Sequence, residues 1–270
     1  MKIDTDTVTT CYDTPIAGMR SYMQPSISLY NEDCLETMRR IPDGSVDLML
    51  TDPPYGTTEI IWDKHINIAE MWLEWERILK PSGAWIFTCS QPFTSELILS
   101  RRGFFKYELI WDKTFGRQPQ LANIQPMKRH ENIVVFGRGK ITYNPQLVKL
   151  IRPYKSKGAS NNAGGNNDHK LGLKKVEKEY THSTPDSILQ IEPPGNGVNI
   201  HPTQKPIDLF RWLIKSYSNE GEIIFDGYSG SGTTAHACLV EGRKFVGSEL
   251  DENYFKKSVE RLKGFNPQLF

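Results

Sequence analysis

Glu222-Ile223-Ile224-Phe225-Asp226-Gly227-Tyr228-Ser229-Gly230-Ser231-Gly232-Thr233-Thr234-Ala235 is the stretch whose reading decides the fold. Glu222 to Asp226 reads as a buried strand, Gly227 to Gly232 as a Gly/Ser-rich loop, and Thr233 to Glu241 as a helix closed by Gly242. A second strand, Lys244 to Ser248, ends on Glu249. Asp251 then caps a last helix bearing Phe255, Val259 and Leu262, with Gly264 beyond it. Strand, glycine loop, helix, strand and acid in this order make the first half of a nucleotide-binding βαβ unit. Glycines let a ligand approach the backbone, and the acid ending the second strand can hold ribose hydroxyls.

Gly230-Ser231-Gly232-Thr233-Thr234-Ala235 also satisfies the dinucleotide pattern G-x-G-x-x-A, so a dehydrogenase is a competing reading. Against it, a Rossmann domain that starts at Ile223 has only about 45 residues left, too few for its remaining strands. The sheet has to be completed by strands earlier in the chain.

The best of these is Val46 to Thr51, an apolar run that delivers Asp52-Pro53-Pro54-Tyr55 to a strand's carboxyl end, where open α/β sheets bind ligands. Two prolines fix φ and supply no amide hydrogen, leaving a rigid corner with outward carbonyls, a carboxylate before it and an aromatic ring after it. An exocyclic amino group on a nucleobase needs those two things, acceptors for its hydrogens and a flat apolar surface for its ring. An Asp-Pro turn closing a strand needs the same residues, so the corner alone does not decide. Two loops on one sheet edge suggest cofactor at one and substrate at the other.

The rest of the chain fills in around these. Residues 1–25, rich in Thr and Asp, read as a loosely packed arm. Ile27 to Tyr30 is a short strand candidate, followed by Asn31-Glu32-Asp33-Cys34 and a helix from Leu35 to Arg40. Ile68, Trp72, Trp75 and Leu79 lie on one face of a helix stopped by Pro81-Ser82-Gly83. Ala84 to Cys89, Tyr107 to Trp111 and Asn132 to Phe136 read as buried strands. Pro206 begins a helix whose face is Ile207, Phe210, Ile214 and Tyr217.

Between Arg138 and Lys178 stand ten Lys or Arg against two acids, around the flexible tract Gly158 to Asn167. A solvated surface loop accounts for such a run, but a local surplus of this kind in a chain of net charge +1 is also what a phosphate-contacting surface requires. The division expected is an arm at 1–25, a first part of the main domain at 26–137, a basic insert at 138–195 and a second part of the main domain at 196–270. Cys11, Cys34, Cys89 and Cys238 form no C-x-x-C pair and no histidine sits at a ligand spacing, so neither disulfides nor a metal is expected. No run reaches the roughly 20 apolar residues of a membrane span, and the chain reads as cytoplasmic.

Taken together, these motifs resemble the beta group of DNA amino-methyltransferases, which use S-adenosylmethionine. Thr51-Asp52-Pro53-Pro54-Tyr55-Gly56 matches the family's D-P-P-Y motif, Phe225 to Thr234 its cofactor loop, and His201-Pro202-Thr203-Gln204-Lys205-Pro206 its H-P-T-Q-K-P segment. Asn31-Glu32-Asp33-Cys34 resembles the motif beside the cofactor's adenine and Gly247-Ser248-Glu249 the ribose motif. Gly227 and Tyr228 depart from the usual Pro and Phe, which lessens loop rigidity but removes no cofactor ligand.

The resemblance implies an α/β Rossmann-like methyltransferase fold: a mostly parallel, twisted, seven-stranded sheet flanked by helices, with motifs in permuted order and an inserted DNA-recognition region. It makes 26–137 the catalytic part, 138–195 the target-recognition insert and 196–270 the cofactor-binding part. It implies methyl transfer to a flipped-out base in double-stranded DNA, through Asp52, Pro53, Pro54 and Tyr55, with adenine N6 favoured by Asp52 over cytosine N4. Asp33, Lys205, Asp226, Gly230, Ser231, Gly232, Thr233 and Glu249 are the implied cofactor residues. Lys140, Arg152, Lys155 and Lys157 are candidates for the nucleic-acid surface, and Trp111-Asp112-Lys113 and His130-Glu131-Asn132 are expected to flank the base. RNA or protein substrates remain open, since flipping from a duplex is not visible in a sequence. Some relatives dimerise, so a homodimer is among the expected partners.

Overall fold

The computed structural model describes residues 21–24, 26–55, 66–117, 119–157, 177–195 and 204–264. Most of the expected N-terminal arm, the tract Gly158 to Asn167 and His201-Pro202-Thr203 lie outside the described residues. The elements in chain order are β1 (Ser21–Gln24), β2 (Ile27–Tyr30), α1 (Cys34–Arg40), β3 (Val46–Thr51), α2 (Ile68–Ile78), β4 (Leu79–Cys89) and α3 (Phe93–Ser100). They continue with β5 (Phe105–Arg117), β6 (Lys128–Phe136), β7 (Val148–Lys157), β8 (Glu177–Ser183) and β9 (Ile188–Gln190). The chain closes with α4 (Ile207–Tyr217), β10 (Ile223–Asp226), α5 (Thr233–Val240), β11 (Lys244–Ser248) and α6 (Glu252–Lys263).

Among the described residues nine strands form one sheet in the order β1-β2-β11-β10-β3-β4-β6-β5-β9. The five strands from β2 to β4 run parallel, and β6 and β5 add an antiparallel pair. These are the seven strands expected. Each edge carries one more: β1 pairs antiparallel to β2, so Ser21–Gln24 are strand rather than loose arm, and β9 lies parallel to β5. The last two parallel strands in sequence, β10 and β11, insert between β2 and β3, which is the permutation that the late glycine loop demands.

Strand alternation sorts the core into two layers. Leu48, Leu50, Ile86, Val135, Ile224 and Phe245 face one side, where α4, α5 and α6 bury Phe210, Leu213, Cys238 and Leu262 against them. Met49, Trp85, Phe87, Val134, Phe225 and Val246 face the other, against Met38, Trp72, Trp75 and Phe93 of α1, α2 and α3. A sheet apolar on both faces has to be covered on both, which is why the central strands read as continuous apolar runs.

Two sequence expectations need correction here. The helix face ends at Ile78, and Leu79 already pairs with Val46, so Pro81-Ser82-Gly83 lie within β4 and not beyond a helix end. The register slips between Val46 and Leu48, and Gly83 sits where a Cβ would come within 2.7 Å of both the Asp47 carbonyl and the Leu79 side chain. Secondly, the stretch 138–195 is divided. Pro145–Asp186 forms a compact unit of its own, built on the antiparallel pair β7 and β8, whereas Asn144 bonds to α4 and β9 joins the main sheet. In that unit Tyr154 stacks on Tyr180, and the register sets Lys155 opposite Glu179 and Lys157 opposite Glu177.

Candidate active site

The carboxyl ends of β2, β11, β10 and β3 meet at one edge of the sheet, with Ser248 in register with Tyr30, Gly247 with Asp226, and Phe225 with Met49. Beside them opens a cleft of about 770 Å³. Asp33, Asp52, Pro53, Pro54, Tyr55, Lys205, Asp226, Gly230, Ser231, Thr233 and Glu249 all line it. Residues scattered over more than 200 positions of sequence are thus brought to one place by the order of the strands. Gly232 does not line the cleft; with φ +73° it lets the chain turn into α5, and a Cβ there would come within 3.0 Å of Ser258. Lys140, Arg152 and Lys155 are exposed and are not cleft residues; Lys157 lies in β7.

Asp52 directly follows β3 and lines the cleft. Its Oδ1 accepts the hydroxyls of Tyr55 and Thr88, each at 2.5 Å, and its Oδ2 accepts the Lys205 ammonium at 2.5 Å. The Tyr55 ring stacks on Phe93 at 5.6 Å and 24°, which fixes an aromatic wall beside the carboxylate. Lys205, only 7% exposed, lies 3.5 Å from Glu131 Oε2, and the other oxygen of Glu131 takes Lys113 at 2.5 Å. Burial works against the Lys205 ammonium, but the carboxylates of Asp52 and Glu131 outweigh it and hold its pKa above the ordinary lysine value. Burial likewise opposes the charge on Glu131, and Lys205 and Lys113 overcome it, holding that carboxyl below its usual range.

The glycine loop is held from three sides. Asp226 accepts from Thr51 at 2.7 Å, from Thr234 at 2.5 Å and from the Tyr228 amide at 3.0 Å, so it ties β3, the loop and α5 together. Burial pushes its pKa up to about 6. Glu249 accepts from the Gly230 amide at 2.7 Å and the Asp251 amide at 2.8 Å, and burial raises its carboxyl to about 6 as well. From α6, Arg261 donates to the Ser231 carbonyl at 3.0 Å and the Thr233 hydroxyl at 3.1 Å. Gly227, where the motif usually has proline, has no room for a Cβ, which would lie 2.9 Å from the Cβ of Cys34.

These residues fit a nucleotide-like cofactor. Ser229 Oγ is buried in the cleft lining with no hydrogen-bond partner among the described residues, and a Cβ on Gly230 would meet only the Tyr228 carbonyl, at 4.0 Å. Loop amides at the start of α5 and carboxylates at 33 and 249 supply donors and acceptors at the two ends. Sequence reasoning missed Thr88 and Arg261, which stand in no readable motif, and passed over Ser229 inside the glycine loop; Glu131 was anticipated only as flanking the base. Asp226 was expected to meet the cofactor directly, yet three of its acceptor directions go to its own chain. Among the described residues no group of His, Cys, Asp and Glu is placed to hold a metal, and no helix is long and apolar enough to cross a membrane. Cys34, Cys89 and Cys238 are free and buried.

A doubly wound sheet in permuted order, with a glycine loop and an Asp-Pro-Pro-Tyr corner on one cleft, defines the amino-methyltransferase class. The family model described as DNA methylase, covering N6 and N4 enzymes, matches residues 46–260, and the chain belongs to that family. Among curated proteins it is 27% identical over 251 residues to the type II methyltransferase M.HpaI of Haemophilus parainfluenzae, covering 85% of this chain and 72% of that protein. It is 27% identical over 261 residues to the DNA adenine methyltransferase YhdJ of Escherichia coli (strain K12), covering 87% and 82%. Of solved structures, the M1.HpyAVI–SAM complex superposes with a TM-score of 0.61 at 24% identity, covering 87% of this chain and 98% of that one. The cytosine-N4-specific PvuII DNA methyltransferase superposes with a TM-score of 0.61 at 18% identity, covering 90% and 89%.

Proposed function

We propose that this DNA methylase transfers a methyl group from S-adenosylmethionine to the exocyclic N6 of an adenine flipped out of duplex DNA. The observation that carries the reading is the placement of Asp52, in its rigid Asp-Pro-Pro-Tyr corner, on the same cleft as the glycine loop. Bound S-adenosylmethionine supplies an electrophilic methyl group on a sulfonium. Glu249 and Asp33 hold its ribose and adenine ends, and Ser229 Oγ and the amides from Gly230 to Thr233 hold its amino-acid end.

An adenine amino nitrogen is a poor nucleophile because its lone pair is delocalised into the ring. A hydrogen bond from that amino group to the Asp52 carboxylate, with a second to the Pro53 carbonyl, localises the lone pair and stabilises the positive charge that develops on nitrogen. Tyr55, backed by Phe93, gives the extruded base an aromatic platform. Holding donor and acceptor in line supplies much of the remaining acceleration. Aspartate at position 52 and the relationship to a named adenine methyltransferase both favour N6 over N4. Lys140, Arg152, Lys155 and Lys157 contact phosphates, setting affinity and salt dependence.

The test is Asp52→Ala, assayed for transfer to unmethylated DNA and, separately, for cofactor binding by calorimetry. Transfer should fall by at least about 10²-fold, the loss typical of removing one positioned electrostatic group. Cofactor affinity should stay within about threefold of wild type. Full activity in this variant would refute the assignment.

A further inference from the structure

Three donors already sit on Asp52, and one of them opposes the chemistry assigned to it. The Lys205 ammonium on Oδ2 neutralises the charge that has to stabilise a positive amino nitrogen. With Tyr55 and Thr88 on Oδ1, the acceptor direction left to a base lies on Oδ2, directly beside that ammonium. A buried ammonium cannot simply be released, because an uncompensated charge in the interior is strongly unfavourable. It needs a second carboxylate.

Glu131 provides one. Its Oε2 is buried, has no hydrogen-bond partner among the described residues, and stands 3.5 Å from Lys205 Nζ, while Lys113 anchors Oε1. A displacement of about 1 Å would carry the ammonium from Asp52 to a full hydrogen bond with Glu131. We propose that Lys205 is a two-position counter-ion, seated on Asp52 until the target amino group takes Oδ2 and then on Glu131 Oε2. Glu131 is then a positioning residue that frees the catalytic carboxylate. The inference rests on the reading of Asp52 given above.

The experiment compares single-turnover methylation of unmethylated genomic DNA by wild type, Glu131→Gln, and Glu131→Gln combined with Lys205→Met, with cofactor affinity measured by calorimetry for each. Glu131→Gln should slow turnover by about tenfold to a hundredfold, with cofactor affinity within about threefold of wild type. Removing Lys205 from that background should restore at least about tenfold of the loss, an outcome a merely structural role does not produce. Unchanged turnover in Glu131→Gln, or a double variant that binds cofactor normally yet is no faster, would overturn the proposal. If a variant fails to bind cofactor, a crystal structure of the wild type with cofactor product and its target duplex decides. Nζ at about 3 Å from Glu131 Oε2 supports the exchange, and Nζ still on Asp52 Oδ2 beside a docked base refutes it. A wild type that binds cofactor but never methylates DNA would instead remove the catalytic reading beneath it.

Discussion

Replacing Asp226 by Asn should make the protein's stability less dependent on pH, in a direction opposite to that of most paired carboxylates. Asp226 is fully buried at the end of β10, and burial raises its pKa from the ordinary 3.8 to about 6 despite donors from Thr51, Thr234 and the Tyr228 amide. Between about pH 4 and 6 the folded protein keeps a proton that the unfolded chain has released. The folded state therefore binds more protons in that window, and stability falls as pH rises through it. An interval of roughly 2 on the pH scale corresponds to about 3 kcal/mol from this one group. Asparagine has no such titration and can still accept from the Tyr228 amide and one hydroxyl. Urea unfolding at pH 4.5 and pH 7.5 should show wild type losing on the order of 2 kcal/mol more than Asp226→Asn over that range. Equal losses in the two proteins would refute the claim that the Asp226 carboxylate is desolvated. Glu249, raised to about 6 chiefly by burial, contributes in the same direction to both proteins, and only the small part of its shift that the Asp226 charge causes adds to the difference.

Other perturbations read other parts of the account. Arg261→Met removes the donor that fixes Ser231 and Thr233, and calorimetry should find S-adenosylmethionine binding weakened about tenfold, whereas unchanged affinity would show that the loop holds its shape alone. Gly247→Ala places a Cβ 2.3 Å from the Asp226 carbonyl and should destabilise the protein by about 3 kcal/mol or more, seen as a large drop in urea midpoint; a wild-type midpoint would contradict the packing of β10 on β11. Thr114, a β-branched residue at φ +68°, is strained where β5 changes register, so Thr114→Asn should raise Tm by about 2–4 °C; a fall would mean that its hydroxyl bond to the Lys113 carbonyl outweighs the strain.

The βαβ half at the carboxyl terminus was legible because its signals are local. β10, α5 and β11 fall within a residue or two of the positions that alternation, glycine spacing and length predict. The same holds for β3 and the corner after it. What could not be read was contact at long range. Lys205 and Asp52 are 153 residues apart, Thr88 and Asp52 are 36 apart, and only the strand order makes them neighbours. Asp226 looked like a ligand residue from its place before the glycines, and its use as a tie between β3 and α5 follows from Thr51 and Thr234, whose partners no local pattern discloses. The basic stretch was visible as composition, but composition does not show that β9 returns to the main sheet or that Glu177 and Glu179 stand opposite lysines in β7. Gly227 read as a departure from a motif; its reason, the side chain of Cys34 against it, needed the fold.

The measurement that tests the central claim most directly is nucleoside mass spectrometry of unmethylated duplex DNA of mixed sequence after incubation with the purified protein and isotope-labelled S-adenosylmethionine. The account predicts labelled N6-methyladenine that is absent with Asp52→Ala. Labelled N4-methylcytosine would overturn the choice of base, and DNA carrying no label, from a protein that binds the cofactor, would contradict the account as a whole.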